Sequence, residues 1–318
     1  VVVKSLLLAG FKNIAAISAS MDSGGKTGIV RSDERDRVIA VSDLLRTLLA
    51  LIPPQHNHKQ QVKAFTDLAA FTDGRNRNLG YTLYYALLEK YANDFSAVQA
   101  HLERLLQLKF EGTAIPVTLL PTHILSSTQS GQRFTGEHEL DRQSMSRNLI
   151  TKVWLDPQVS ATPQAIAAIR SATHIIYCPG SLYGSVIANF LPSGITSALK
   201  ASKGKKILIT NLVSTRNQTH KFTPSDYLKV FQKYTTLTKP FDYTIIPRIS
   251  HAQFEKKYPA VSRNYAAEHS YFLGWENPSL PSGIKIIAAD AFSVTPKLNR
   301  LRHDPTQLAK VLKPLYNA

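Results

Sequence analysis

The chain has 318 residues, 43% of them hydrophobic, and a formal charge of +16; this composition supports a sizeable core and excludes a disordered chain. Its one cysteine, Cys178, excludes an internal disulfide and a zinc site built on cysteines. A positive field attracts anions, but there is no basic run with interleaved aromatics and no zinc-finger or RNA-motif spacing, so nucleic acid is not the expected partner.

In chain order, VVVKSLLLAGF (1–11) reads as an amphipathic or buried helix with Gly10 near its C-terminal end. It is too short to span a bilayer, which needs roughly 20 apolar residues. NIAAISAS (13–20) reads as a strand, followed by a glycine-rich loop over 22–28. Ser42-Asp43 is a helix N-cap signal before LLRTLLALI, which Pro53-Pro54 terminates. Helical patterns follow over 58–71, 79–92 and 95–108. Extended pieces come next: 113–120, a hairpin-like stretch over 126–136, and 149–155.

Strands and helices then alternate. Thr162 and Pro163 are cap and first-turn residues for TPQAIAAIRSA. The strands HIIYC, KKILITNLV and FDYTIIP are separated by helical stretches, including TPSDYLKVFQKY. Residues 250–282 are the least legible, and Asp304-Pro305 caps a closing helix. This alternation predicts an α/β fold: a Rossmann-like, doubly wound, mainly parallel sheet. We expect one domain over 1–318, with 51–150 forming a helix-rich cap and hairpin region within it. Ligands of such sheets sit at the carboxyl ends of the strands.

Three loops after predicted strands carry polar or glycine-rich sequence. The first is Asp22-Ser23-Gly24-Gly25-Lys26-Thr27-Gly28, with Arg31 beyond. Its glycines let backbone approach a phosphate, and Lys26 and Arg31 add charge. It is not a P-loop, because Ser20 stands where the first glycine is required. The second, Cys178 to Ser185 (CPGSLYGS), places N–H groups and hydroxyls at a helix start; the same residues equally suit ordinary capping by Ser181. The third holds Asn211, which can bond a base or ribose or close its own turn. No Ser–His–Asp set can be assembled from spacing, and no His/Asp/Glu cluster has metal-ligand spacing, so no metal site is assigned.

Taken together these loops resemble the CofD-like family, which includes the YvcK branch. The YvcK loop A-D-D-G-G-S-S-G-R-L-R is similar to MDSGGKTGIVR here, and L-G-P-G-S-L-Y-T-S is similar to YCPGSLYGS. The family's closing R-H-D-P-x-x-L-A matches 302–309, and Gly136-Glu137 fits a family G-E pair. Its opening G-G-G-T-G loop has no counterpart after Val1, and its paired aspartates are reduced to Asp22 and Ser23. The resemblance implies a cytoplasmic, YvcK-like regulator that binds a UDP-sugar and acts on carbon metabolism and cell shape, with no cofactor required. It implies Gly180, Ser181 and Arg302 at the phosphates and Asn211 near the base or ribose, with Tyr183 beside them. Asp22, Gly24, Gly25, Lys26, Thr27 and Arg31 would line the opposite wall. The alternative is a CofD-like transferase moving a phospholactyl group from a guanosine diphospho-conjugate to a deazaflavin, with Asp22 and Asp43 as magnesium or base carboxylates. The implied partner is a nucleotide-diphosphate small molecule with no membrane, and a homo-oligomer is compatible with either reading.

Overall fold

The computed structural model describes residues 1–33, 38–141, 148–295 and 299–316. The amphipathic opening forms α1 (Val2–Ala9) and leads into β1 (Ile14–Ser18), α2 (Gly25–Asp33) and α3 (Ser42–Ala50). The cap follows as α4 (Lys59–Ala70), α5 (Leu79–Lys90) and α6 (Phe95–Leu106). Then come β2 (Gly112–Pro116), β3 (His123–Thr128), β4 (Arg133–Thr135), β5 (Ile150–Asp156) and α7 (Pro163–Ser171). The alternating half is β6 (His174–Tyr177), α8 (Ile195–Ala201), β7 (Lys205–Ile209), α9 (Pro224–Thr235) and β8 (Tyr243–Pro247). It continues with α10 (His251–Lys257), α11 (Pro259–Ala267), β9 (Lys285–Ala289), β10 (Phe292–Thr295), β11 (Arg300–His303) and α12 (Pro305–Tyr316).

β6, β7, β8 and β9 form one parallel sheet in that order, and β1 pairs in parallel with β2. Parallel pairing requires crossovers, and the intervening helices supply them. The helices cover both faces. Ile207 and Ile209 of β7 pack with Leu6 of α1 and Leu308 and Leu312 of α12. Leu208, pointing the opposite way, joins Tyr177, Ala198 and Phe231. A strand covered on both sides reads as a continuous apolar run, which explains the ILI of KKILIT. Ile14 of β1 and Ile176 of β6 border the same apolar cluster, although β1-β2 and β6-β7-β8-β9 are separate sheets. The turns that follow β1 and β6 line one crevice, at the carboxyl ends of strands where doubly wound folds hold ligands.

The expected hairpin is present within a three-stranded antiparallel sheet, β4-β3-β5. Leu44 and Leu48 of α3, Tyr84 of α5, Leu102 of α6, Ile124 of β3 and Val153 of β5 belong to one buried cluster with the sheet residues. Residues 142–147 of the expected cap region lie outside the described residues. The illegible 250–282 stretch contains α10, with a capping box in which Ser250 and Gln253 each bond the other's backbone, and α11, opened by Pro259. No helix among the described residues is long and apolar enough to cross a membrane.

Candidate functional site

The first wall is built by the turn after β1. Asp22 Oδ1 accepts the Gly24 N–H at 2.8 Å and Oδ2 accepts the Ser42 hydroxyl at 3.2 Å, tying the turn to the start of α3. The glycine-rich segment is shorter as a loop than expected, because the Gly28 N–H donates to the Gly24 carbonyl and α2 begins at Gly25. Lys26 and Thr27 therefore lie in the first helical turn, whose opening N–H groups have no acceptor inside the helix. Ser42 is likewise the first helical residue of α3 rather than its cap. Val41 holds the cap position, and the Ser42 hydroxyl is committed to Asp22.

These residues border a crevice of about 490 Å³ that Asp22, Gly24, Gly25, Lys26 and Thr27 line on one side. That volume suits one small organic ligand. Asp43 and Arg46 of α3, joined at 2.7 Å, and Tyr81 of α5 add a second side. Glu137, Gly184 and Ser185 complete it. Glu137 leans over Gly184 so closely that a side-chain carbon there would stand 2.6 Å from Glu137 Oε1.

The second wall is the turn after β6. Ser181 caps a π-helical turn over 182–186 by accepting the Gly184 N–H at 3.2 Å. Its hydroxyl donates to Gln218 Oε1 at 3.1 Å, and the same oxygen accepts the Tyr183 N–H at 3.0 Å. Asn211, at the end of β7, donates from Nδ2 to the Gly180 carbonyl at 2.7 Å. Next to Arg302, His303 bonds the Thr210 carbonyl through Nε2 at 3.1 Å, and burial holds its pKa below the ordinary value. The Arg302 side chain is exposed on β11. Gly180 and Asn211 meet at the ends of β6 and β7, and Arg302 adjoins the His303 that bonds Thr210. None of Gly180, Ser181, Asn211 and Arg302 lines the crevice; of this wall only Gly184 and Ser185 do.

Two sequence expectations need correction. Arg31 is 1% exposed, and its guanidinium donates to the carbonyls of Met21, Asp22 and Thr122, so it braces the turn from beneath instead of facing a ligand. Tyr183 is 4% exposed, with its hydroxyl directed at the Ile150 carbonyl, and belongs to the core. Six crevice residues were missed as site residues: Ala19, Arg46, Tyr81, Glu137, Gly184 and Ser185. The i,i+3 spacing of Asp43 and Arg46 and the Gly136-Glu137 pair were the available signals.

Burial raises the Asp43 pKa above the usual carboxylate value; Arg46 opposes that shift and the Asp22 charge adds to it. The folded state therefore holds this proton more tightly than the unfolded chain does, and the associated stability is lost as pH rises through the raised value. Asp43→Asn should gain melting temperature relative to the parent as pH increases from acid to neutral. A constant or shrinking gap in a pH series of melts would refute this placement of Asp43. Among the described residues no group of three His, Cys, Asp or Glu side chains could hold a metal ion. Magnesium would draw instead on Asp22 and Asp43 together with phosphate oxygens, its usual mode.

A family profile described as "2-phospho-L-lactate transferase CofD" matches residues 2–290. The chain belongs to this family. A "Putative gluconeogenesis factor" of Thermotoga maritima is 29% identical, with 97% of this chain and 95% of that protein covered. A second protein of that description, from Nostoc sp., is 28% identical over 98% of this chain and 66% of its own length. The "Gluconeogenesis factor" of Listeria monocytogenes is 28% identical over 72% of this chain and 70% of its own length. A crystal structure of a UPF0052 family member from Bacillus halodurans superposes with a TM-score of 0.79 at 22% identity, covering 98% of this chain and 96% of that one. At that identity the likeness shows the fold, and the fold is the expected one.

Proposed function

We propose that this family member binds a uridine-diphosphate sugar between the two walls and acts as a cytoplasmic, non-catalytic regulator of carbon metabolism and cell shape. The observation that carries the reading is the meeting of three anion-suited groups beside the ends of β1 and β6. These are the opening turn of α2 with Lys26, the Arg46 side chain, and Gly184 with Ser185 from the turn that Asn211 pins at Gly180. A diphosphate lies against the helix N-terminus, where N–H groups and the helix dipole favour negative charge. In this reading Arg302 and Asn211, which do not line the crevice, approach the ligand from beyond Gly184 and Ser185, Arg302 toward the phosphates and Asn211 toward the base or ribose.

Thermal melting with uridine and guanosine diphospho-compounds, with and without magnesium, tests this. A ligand at one hundred times its dissociation constant stabilises by about 2.7 kcal/mol. The expected result is a uridine-sugar shift that persists without magnesium. Lys26→Ala and Arg302→Ala should each weaken binding by about tenfold or more, roughly 1.4 kcal/mol. An Arg302→Ala response equal to the parent's removes the second wall from the site. Lacking a nucleic-acid motif, the chain is not expected to use its positive field on nucleic acid; retention there that falls steeply with salt, with no response to nucleotide sugars, would overturn the reading.

One observation favours a second reading. Asp22 and Asp43 both line the crevice, as paired carboxylates facing a magnesium diphosphate would. A shift seen only with a guanosine conjugate plus magnesium, with release of a mononucleotide on adding a deazaflavin alcohol, replaces the regulator with a transferase.

A further inference from the structure

Beside the crevice, three side chains from two distant segments form a connected set. Ser23 Oγ lies 3.0 Å from His138 Nδ1, and His138 Nε2 lies 2.9 Å from Glu139 Oε1. Both imidazole nitrogens are therefore engaged, one by a hydroxyl and the other by a carboxylate. A neutral ring that accepts from the Ser23 hydroxyl at Nδ1 must carry its proton at Nε2, where the Glu139 carboxylate accepts it. Glu139 is 8% exposed, so its charge is held in one place, whereas the Ser23–His138 contact is open to solvent.

Local geometry enforces the contact. Gly136 has φ +101°, and a side-chain carbon there would stand 2.8 Å from the His138 ring and 3.0 Å from Ser23 Oγ. Ser23 sits on a strand–turn–helix junction between β1 and α2, a common placement for a nucleophilic hydroxyl. The next helix opens two residues later, with N–H groups unsatisfied within it and the positive end of its dipole nearby. Serine, base and orienting acid in hydrogen-bond sequence are the parts of an activated nucleophile.

We infer that Ser23, His138 and Glu139 form a nucleophile–base–acid relay that attacks carboxylic esters. The Ser23 hydroxyl proton passes to His138 Nδ1 as the Oγ–carbon bond forms. The tetrahedral adduct collapses, its alcohol leaving with the proton from Nδ1 and an acyl-serine remaining. Water then gives a proton to Nδ1 and attacks the acyl carbon, and the Ser23 oxygen recovers that proton as the carboxylic acid departs. Water is the only co-reactant. The set does not depend on nucleotide binding, because neither Ser23 nor His138 lines the crevice.

Labelling with an alkyl fluorophosphonate, followed by peptide mass mapping, tests the relay. The Ser23 oxygen displaces fluoride at phosphorus, and its proton goes to His138. The expected result is a phosphonyl group on the Ser23 peptide and turnover of p-nitrophenyl acetate. Ser23→Ala should abolish both, and His138→Gln should slow them by about 100-fold or more, the usual scale of a lost general base. Glu139→Gln should slow them less, through misplacement of the imidazole, while retaining a cooperative melt. A second measurement stands apart from serine chemistry: Ser23→Cys in a Cys178→Ser background should react with iodoacetamide faster with His138 in place than with His138→Gln added. Absence of label on Ser23 in a protein with a normal melt, or an alkylation rate of the Ser23→Cys variant indifferent to His138, overturns the inference.

Discussion

Replacing Arg31 with methionine should lower the melting temperature by roughly 4–5 °C, taking about 3 kcal/mol lost and about 1.5 °C per kcal/mol for a chain of this length. The guanidinium is fully enclosed and donates to three main-chain carbonyls, those of Met21, Asp22 and Thr122. Each hydrogen bond to a charged group contributes about 1.5–3 kcal/mol, and part of that sum is offset because burying the cation is itself costly. Methionine matches the stem but donates nothing, so these carbonyls are left without their donor. The effect should reach the site, because two of them belong to the turn that carries Asp22. A fall below about 2 °C, on the same scale, would show that the buried guanidinium contributes little.

Gly28→Ala sets two known effects against each other. In the interior of an ordinary helix, alanine improves on glycine by about 1 kcal/mol. Here the added carbon would stand 2.2 Å from the Ser23 carbonyl oxygen and 3.0 Å from its carbon. These are backbone atoms and cannot swing aside, so α2 or the turn must move, at a typical overpacking cost of about 1–3 kcal/mol. The steric term wins: we expect a lower melting temperature together with loss of the uridine-sugar response. Gly74→Ala is the control, since nothing lies within 4 Å of its added carbon. Equal melts and equal ligand responses for the two variants would show that the turn has room to spare.

The legible parts of this protein were those with local causes. Thr162 with Pro163 and Asp304 with Pro305 open their helices as read, because a cap satisfies N–H groups only two or three residues away. Three strands of the parallel sheet, β6, β7 and β8, were visible as apolar runs because helices cover them, whereas β9, with exposed Lys285 and Ala288, was not read. Glycine density misled at 25–28, where the signal for a loop covers the first turn of a helix and the need for glycine comes from the Ser23 carbonyl pressing on it. Arg31 was read as a ligand contact because a positive charge beside a glycine-rich loop is normally exposed, and nothing nearby in the chain announces three carbonyl acceptors.

The sequence by itself determined the α/β alternation, the family, and which turns follow which strands, since periodicity and capping act over a few residues. Only the tertiary structure decided which side chains face the crevice and which brace it. Glu137 over Gly184, Asn211 on Gly180, and Ser23 against His138 across 115 positions are meetings that chain spacing does not encode. They arise because tertiary packing brings the turns after β1 and β6 to one crevice and then settles which polar groups are satisfied internally and which remain turned toward a ligand.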